Sequence, residues 1–452
     1  MSHSVPHPVP DDSQRRKAIK GAWLGFYVDA FDIYLPVLAL VPAMVYFTKG
    51  LSATGSTLVA AFTFAATLVG RPLGAMVLGH FSDTIGRRRI AIFSAWGFGI
   101  STLLIAALPG IEQIGGWAIG LLIFLRAVDG FFLGGEYTAA TPLALEQSRK
   151  HERGRVGGLI GSAFPTAYCT LALIVFIVLK LVPGGAIGAP YTQWGWRILF
   201  VVGAVMAMAF AIWYTRSVSE SGAFQQAQKA EHTTSAPLRE LFRGEALRNF
   251  LQVFVMMTGV WLAANMLNAV LPDLLSKRAG LTATQLSGVL IVTNLITIGG
   301  YMAAGAVSQR FGRRTTLTVG GISTAVFAAV SLGVIASGSI HSLVALTALS
   351  TVTAVTVGIA FGVVPSYINE RFHTGVRASA YGLGYSLSIV IPSFYAFYQL
   401  GLSTVVPSEY TPAVLVVIGG ALTAIGALLG PETKDADFTS QNDAQPAEHA
   451  QH

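Results

Sequence analysis

The chain has 452 residues, 53% of them hydrophobic and 11% charged, and its mean hydropathy is +0.61. That balance excludes a water-soluble globular domain and points to a polytopic membrane protein. The net charge of +7 does not argue for a nucleic-acid partner, because the basic residues lie in short clusters between long apolar runs, where they set topology.

A bilayer core of about 30 Å takes roughly 20 mostly apolar residues of helix. Twelve stretches meet that test, six in each half of the chain. The first six are expected at 22–47, 56–79, 89–108, 117–143, 156–181 and 195–215. The second six are expected at 249–272, 286–307, 315–336, 341–366, 378–399 and 411–430. The start, MSHSVPHPVPDDSQRRKAIK, is polar and leads into a run long enough to span, so it reads as a retained tail and not a cleavable signal.

The expected division is a tail at 1–20, a six-helix bundle at 21–215, a polar linker at 216–248, a second bundle at 249–431 and a tail at 432–452, both tails disordered. Of the 29 Lys and Arg residues, 22 fall in the tails and the even-to-odd loops, so the positive-inside rule puts both termini in the cytoplasm of an inner membrane. Cys169 is the single cysteine and lies in an apolar run, which fits a small buried hydrophobe.

An internal repeat ties the halves together. GHFSDTIGRRR at 79–89 and GAVSQRFGRRT at 305–315 share Gly79/Gly305, Ser82/Ser308, Gly86/Gly312, Arg87/Arg313 and Arg88/Arg314. Each copy is expected in the loop after the second helix of its half. The repeat therefore predicts an all-α membrane protein: twelve transmembrane helices in two pseudo-symmetric six-helix bundles, with a site between them near the midplane.

GHFSDTIGRRR resembles the loop signature of the major facilitator superfamily, and its second copy is similar but weaker. GRPLGAMVLGHFSD (70–83), RAVDGFFLGGEY (126–137), WRILF with a downstream ESGAF, and the closing PETK (431–434) resemble the metabolite:proton symporter family and its sugar-porter relatives. YVDAFDIY at 27–34 is as similar to aromatic-acid and lactate symporters. The chain departs from the family at Asp129, where an amide is usual, and at Gln309, which stands opposite Asp83. The resemblance implies a secondary active transporter that moves a small organic acid with a coupling proton; the lack of a clustered nucleophile, base or metal set argues against an enzyme, and a monomer without further cofactor is expected. A neutral or zwitterionic solute, or export, is the alternative.

Candidate site residues follow from charge inside the bilayer, where each carboxylate costs roughly 2.5–3.5 kcal/mol and so marks function by default. Asp29 and Asp32 stand three residues apart, about 60° around the first helix, so both can face one cavity. Arg126, Asp129 and Glu136 fall within an arc of about 80° on the fourth helix. The proton-coupling candidates are Asp29, Asp32, Arg126 and Glu136. The resemblance to sugar porters implies that Arg126 pairs with the first-helix acid and, if the solute is an anion, holds it. Whatever draws the guanidinium away lets the carboxylate take up a proton.

Arg71 is expected either to line the substrate path or to brace its helix. Tyr34, Tyr137, Asn265, Asn268, Asn294 and Tyr385 complete the substrate-binding candidates, with Tyr381, Tyr395 and Tyr398 nearby. Gly79, Asp83, Gly86, Arg87, Arg88, Gly305, Gly312 and Arg313 are expected to gate. All nine histidines fall in tails, loops or helix ends, so no metal ligand set or imidazole relay is expected, and no G-x-x-x-x-G-K-[ST] run marks a primary pump.

Overall fold

A computed structural model describes residues 12–220, 237–373, 376–436 and 438. The long helices are α1 (Asp12–Ala43), α2 (Ala53–Ile85), α3 (Arg87–Ala106), α4 (Trp117–Glu146), α5 (Lys150–Leu181) and α6 (Tyr191–Ser217) in the first half. The second half gives α7 (Gly244–Lys277), α8 (Ala283–Phe311), α9 (Arg313–Ala336), α10 (Leu343–Arg371), α11 (377–402, in pieces) and α12 (Thr411–Leu428). No strand occurs among the described residues. The twelve-helix, two-bundle architecture expected from the repeat is the architecture found.

The boundaries differ from expectation at the ends that carry charge. α1 starts at Asp12, inside the stretch expected as tail, and α7 starts at Gly244, preceded by a short helix at Pro237–Leu241. Polar turns therefore extend these helices beyond their apolar spans, which a hydropathy window cannot register. The rest of the expected linker, 221–236, and most of both tails lie outside the described residues. Residues 79–85 are also not loop. They complete α2, and Gly86 alone, at φ 118°, makes the corner to α3. Gly312 at φ 103° makes the same corner between α8 and α9. A left-handed backbone needs no Cβ to clash, which is why both copies of the repeat keep glycine there.

Small residues set the packing. A Cβ on Gly70 or Gly74 would fall on the backbone of Ala127 or Phe131, and one on Gly130 or Gly134 on that of Thr67 or Arg71. α2 and α4 therefore meet backbone to backbone, as small-residue helix pairs do in lipid, and this seam fixes Arg71 against α4.

α11 is broken where it faces α7. A 3₁₀ turn at Leu387–Ile389 and Pro392, which has no N–H to donate, release carbonyls from the helical ladder. Trp261 Nε1 donates to Tyr385 O at 2.7 Å, and Asn265 Nδ2 to Pro392 O at 2.9 Å. Those bonds recover what the break would leave unsatisfied in a dry interior.

Candidate functional site

Three buried acidic groups form descending levels along α1, from the middle of the membrane toward the face that carries the two Gly-Arg-Arg turns, here the basic face. The first level holds Asp32. Arg126 Nη1 lies 3.0 Å from Asp32 Oδ2 and 3.0 Å from Asp129 Oδ2, so one guanidinium serves two carboxylates. Arg126 Nη2 also donates to the Asp32 carbonyl at 3.3 Å. Thr102 on α3 has one hydroxyl hydrogen for three acceptors: Asp32 Oδ1 at 2.6 Å, Phe98 O at 2.9 Å and Asp129 Oδ1 at 3.3 Å. The cluster thus sets two carboxylates against one guanidinium and one hydroxyl hydrogen.

Asp29 stands one turn of α1 nearer the basic face, about 4.5 Å along the axis. Arg71 grips it with both nitrogens, Nη2 to Oδ2 at 3.1 Å and Nη1 to Oδ1 at 3.4 Å. The pair is fully buried, and the guanidinium lies 4.7 Å from the centre of the Tyr137 ring. Tyr137 continues into the second half, with its ring 5.1 Å from Tyr385 and 6.0 Å from Tyr381, and its hydroxyl donates to Gly382 O at 3.3 Å. Phe26, Tyr34, Phe164 and Tyr168 on one side, and Trp261, Tyr301, Phe361 and Tyr385 on the other, extend these rings across the boundary between the bundles. The Tyr385 hydroxyl is buried and has no hydrogen-bond partner.

Glu136 forms the third level, on α4 against Gly25 of α1 and Phe210 of α6. It is 0% exposed, and neither carboxylate oxygen has a partner.

The expected site residues thus separate into groups. Asp32 meets Arg126 as expected, inside the first bundle among α1, α3 and α4. Asp29 meets Arg71, the arginine for which two roles were open, and this pair adjoins the rings between the bundles. Glu136, on the same stripe of α4 as Arg126, pairs with neither arginine. Tyr34, Tyr137 and Tyr385 line the boundary. Asn265 is spent on the α11 break, and Asn294 donates to Leu290 O within its own helix at 2.9 Å. Asn268 is half-buried on α7. Among the described residues no group of three His, Cys, Asp or Glu side chains is placed to hold a metal.

The gating candidates sit at the basic face. Asp83 reaches across to the first turn of α11, accepting from Ala378 N at 3.2 Å, Ser379 N at 2.8 Å and Ser379 Oγ at 2.8 Å. Arg87 pairs with Asp83 at 3.6 Å and with Glu146, and Glu146 bridges to Arg377 of the second half at 2.6 Å. Arg313 repeats the arrangement within its own half by pairing with Glu370 at 3.1 Å. Gln309 accepts from Gly154 N at 2.8 Å across the boundary, so the amide opposite Asp83 still bridges. Gly79 packs on Ser379, and Gly305 packs on Gly158. Arg88 is bound within its half, to Thr215 O and Val218 O at 2.5 Å each. The basic face is closed.

Sequence reasoning missed Glu146 and Arg377, the centre of this closure. A signal was available: Glu146 and Glu370 end the fourth helix of each half at nearly the spacing that separates Arg87 from Arg313. The segment after α12, expected as a disordered tail from 432, is instead packed against the basic face at 432–436 and 438. Its Thr433 donates to Glu370 Oε2 at 2.8 Å, Ala436 O accepts from Arg153 Nη1 at 2.8 Å, and the Phe438 ring lies 3.5 Å from the Arg153 guanidinium and 3.9 Å from that of Arg377. It straps the two bundles together at the basic face.

Residues 22–394 match the family model of the Major Facilitator Superfamily. The chain is 27% identical to the shikimate transporter of Escherichia coli over 94% of its length and 96% of that protein's. It is 30% identical to the alpha-ketoglutarate permease of the same organism over 84% and 85%. It is 28% identical to the glycine betaine/proline/ectoine/pipecolic acid transporter OusA of Dickeya dadantii over 97% and 87%. Its fold is that of the proton:xylose symporter XylE bound to 6-bromo-6-deoxy-D-glucose, with a TM-score of 0.74 at 18% identity over 96% of this chain and 99% of that one. Helix pattern, repeat and family match agree: this chain belongs to the Major Facilitator Superfamily and is a multi-pass membrane transporter for a small molecule, not an enzyme.

Proposed function

We propose that this protein is a proton-coupled symporter that imports a small organic acid as a monomer of the inner membrane, with the basic face in the cytoplasm, and works by rocking of the two bundles. The observation that carries this reading is the Arg71–Asp29 pair beside the rings that join the bundles, where the Tyr385 hydroxyl lacks a partner. A substrate carboxylate arriving from the opposite face would take Arg71 away from Asp29 and accept from the Tyr385 hydroxyl. Asp29, left without its counter-charge, then favours a proton, and linkage makes the proton favour the anion equally. Arg126, shared by Asp32 and Asp129, holds a second charged cluster above it.

The rings also favour a second reading, a zwitterion whose ammonium group lies over aromatic faces, consistent with the betaine and proline carriers among the relatives. The two differ in driving force. A monocarboxylate moving with one proton is electroneutral, whereas a zwitterion moving with one proton gains about 2.3 kcal/mol per 100 mV.

Proteoliposomes loaded with a pH dye and offered shikimate, alpha-ketoglutarate, proline and glycine betaine test both readings. Acidification by the carboxylates, lost in Arg71→Ala and Asp29→Asn, supports the organic-acid symporter. Acidification by proline or betaine alone, steepened by an inside-negative potential, selects the zwitterion. Tracer exchange without proton movement for any of the four refutes proton coupling.

A further inference from the structure

The membrane core holds four carboxylates, Asp29, Asp32, Asp129 and Glu136, against two guanidiniums, Arg71 and Arg126, all of them buried. Each arginine is committed, Arg71 to Asp29 and Arg126 to Asp32 and Asp129. Glu136 receives nothing, although both its oxygens are enclosed. An ionised carboxylate taken out of water costs several kcal/mol unless a cation or a set of donors replaces the solvent. The surroundings of Glu136 supply neither. α1 presents Gly25 and, beyond it, Asp29, which is like-charged; α2 contributes Arg71, already held by Asp29; α6 contributes the Phe210 ring and Tyr214; and α11 contributes Tyr381.

The chain has made room for this group. A Cβ at position 25 would collide with Glu136 Oε1, and Gly21, one turn further toward the basic face, opens the same groove for the Tyr214 ring, 2.8 Å from where a Cβ would stand. The Tyr214 hydroxyl is also buried and without a partner, and Tyr214 closes a turn above Val218, at the Arg88 and Glu220 edge of the basic face. Polar groups thus follow α1 at intervals of about one turn: Asp32, Asp29, Glu136, Tyr214 and then the surface.

We propose that Glu136 is a second proton-binding site of the carrier, separate from the Asp32–Asp129 cluster, and that it passes the coupled proton toward the basic face along α1, behind the solute route. This deepens the symport reading and rests on it for the direction of transfer, but occupancy of the site does not depend on any substrate. When Asp29 gives up its proton on re-forming the pair with Arg71, the Asp29 O–H bond breaks and one forms on the Glu136 carboxylate. Glu136 gives up its earlier proton to the basic face in the same relay, one O–H bond breaking as the other forms, so it stays protonated between turnovers.

The test is difference infrared spectroscopy of the purified full-length protein in lipid nanodiscs, titrated from acid to alkaline pH without solute. The expected result is a carbonyl-stretch band of a buried carboxylic acid at neutral pH that disappears in Glu136→Gln and persists in Asp32→Asn. Gly25→Ala, which presses a methyl group on Oε1, should shift the same band, and it serves if the Gln variant does not fold. Identical bands in wild type, Glu136→Gln and Gly25→Ala would overturn the proposal. The dye-loaded liposomes separate it from the symport reading: an intact Glu136 band with no solute-driven acidification leaves the site standing and sinks symport, and acidification with no such band does the reverse.

Discussion

Removing the Asp83 carboxylate should open the basic face. In the closed state Asp83 accepts three hydrogen bonds from the start of α11, at 2.8, 2.8 and 3.2 Å, with its side chain fully buried. A carboxylate at a helix N-terminus acts both as a cap and as a charge against the helix dipole. Hydrogen bonds to a charged group are worth about 1.5–3 kcal/mol each, but water replaces them once the face opens, and the three share one carboxylate. A net of about 3 kcal/mol is the reasonable figure for Asp83→Ala, which multiplies the open-to-closed ratio roughly a hundredfold. Ser379→Ala removes one of the three bonds and should shift the ratio about fivefold.

The shift can be read with spin labels at Arg89 and Thr315, exposed residues in corresponding positions of the two copies of the repeat, in a Cys169→Ser background. Double electron–electron resonance should show the short wild-type distance give way to a longer one in Asp83→Ala, with Ser379→Ala between them. An unchanged distance distribution in Asp83→Ala would refute the reasoning, because it would mean that these bonds do not hold the face closed.

Gly305→Val should hold the same face open by a different route, since a Cβ there would lie 2.7 Å from Gly158 Cα and 2.8 Å from its nitrogen; the same labels should report a long distance, with transport abolished. Phe438→Ala removes a ring that two guanidiniums contact, each contact worth about 0.5–1 kcal/mol, and should raise the open population roughly tenfold in the same measurement. Arg126→Ala leaves Asp32 and Asp129 buried without their cation, a loss of about 3–5 kcal/mol. Its thermal unfolding in detergent should come at clearly lower temperature than that of Arg126→Lys, which keeps the charge.

Much of this protein is legible along the chain because lipid narrows the choices. Backbone polar groups in hydrocarbon must be satisfied within the segment, so twelve apolar runs imply twelve helices, and the repeated Gly-Arg-Arg implies two related bundles. That Arg126 meets an acid of the first helix is implied by the resemblance to sugar porters; that the acid is Asp32 and not Asp29 is not legible there. The repeat marks Gly86 and Gly312, but that they are corners at φ 118° and 103° comes only with the backbone.

Tertiary structure decided what depends on which helices touch. Arg71 has no acid on its own helix face to mark it in the sequence, and only the α2–α4 seam turns it toward Asp29 and the rings between the bundles. Asn265 reads as a ligand until the α11 break supplies a carbonyl that needs it. Glu146 and Arg377 stand 231 positions apart and meet because the bundles close on each other. Glu136 shares a helical stripe with Arg126, yet the packing of α1 and α6 leaves it alone. Periodicity fixes where a charge lies around its own helix, but whether that charge finds a partner depends on the neighbouring helix, and helix contacts across 200 residues leave no local mark on the chain.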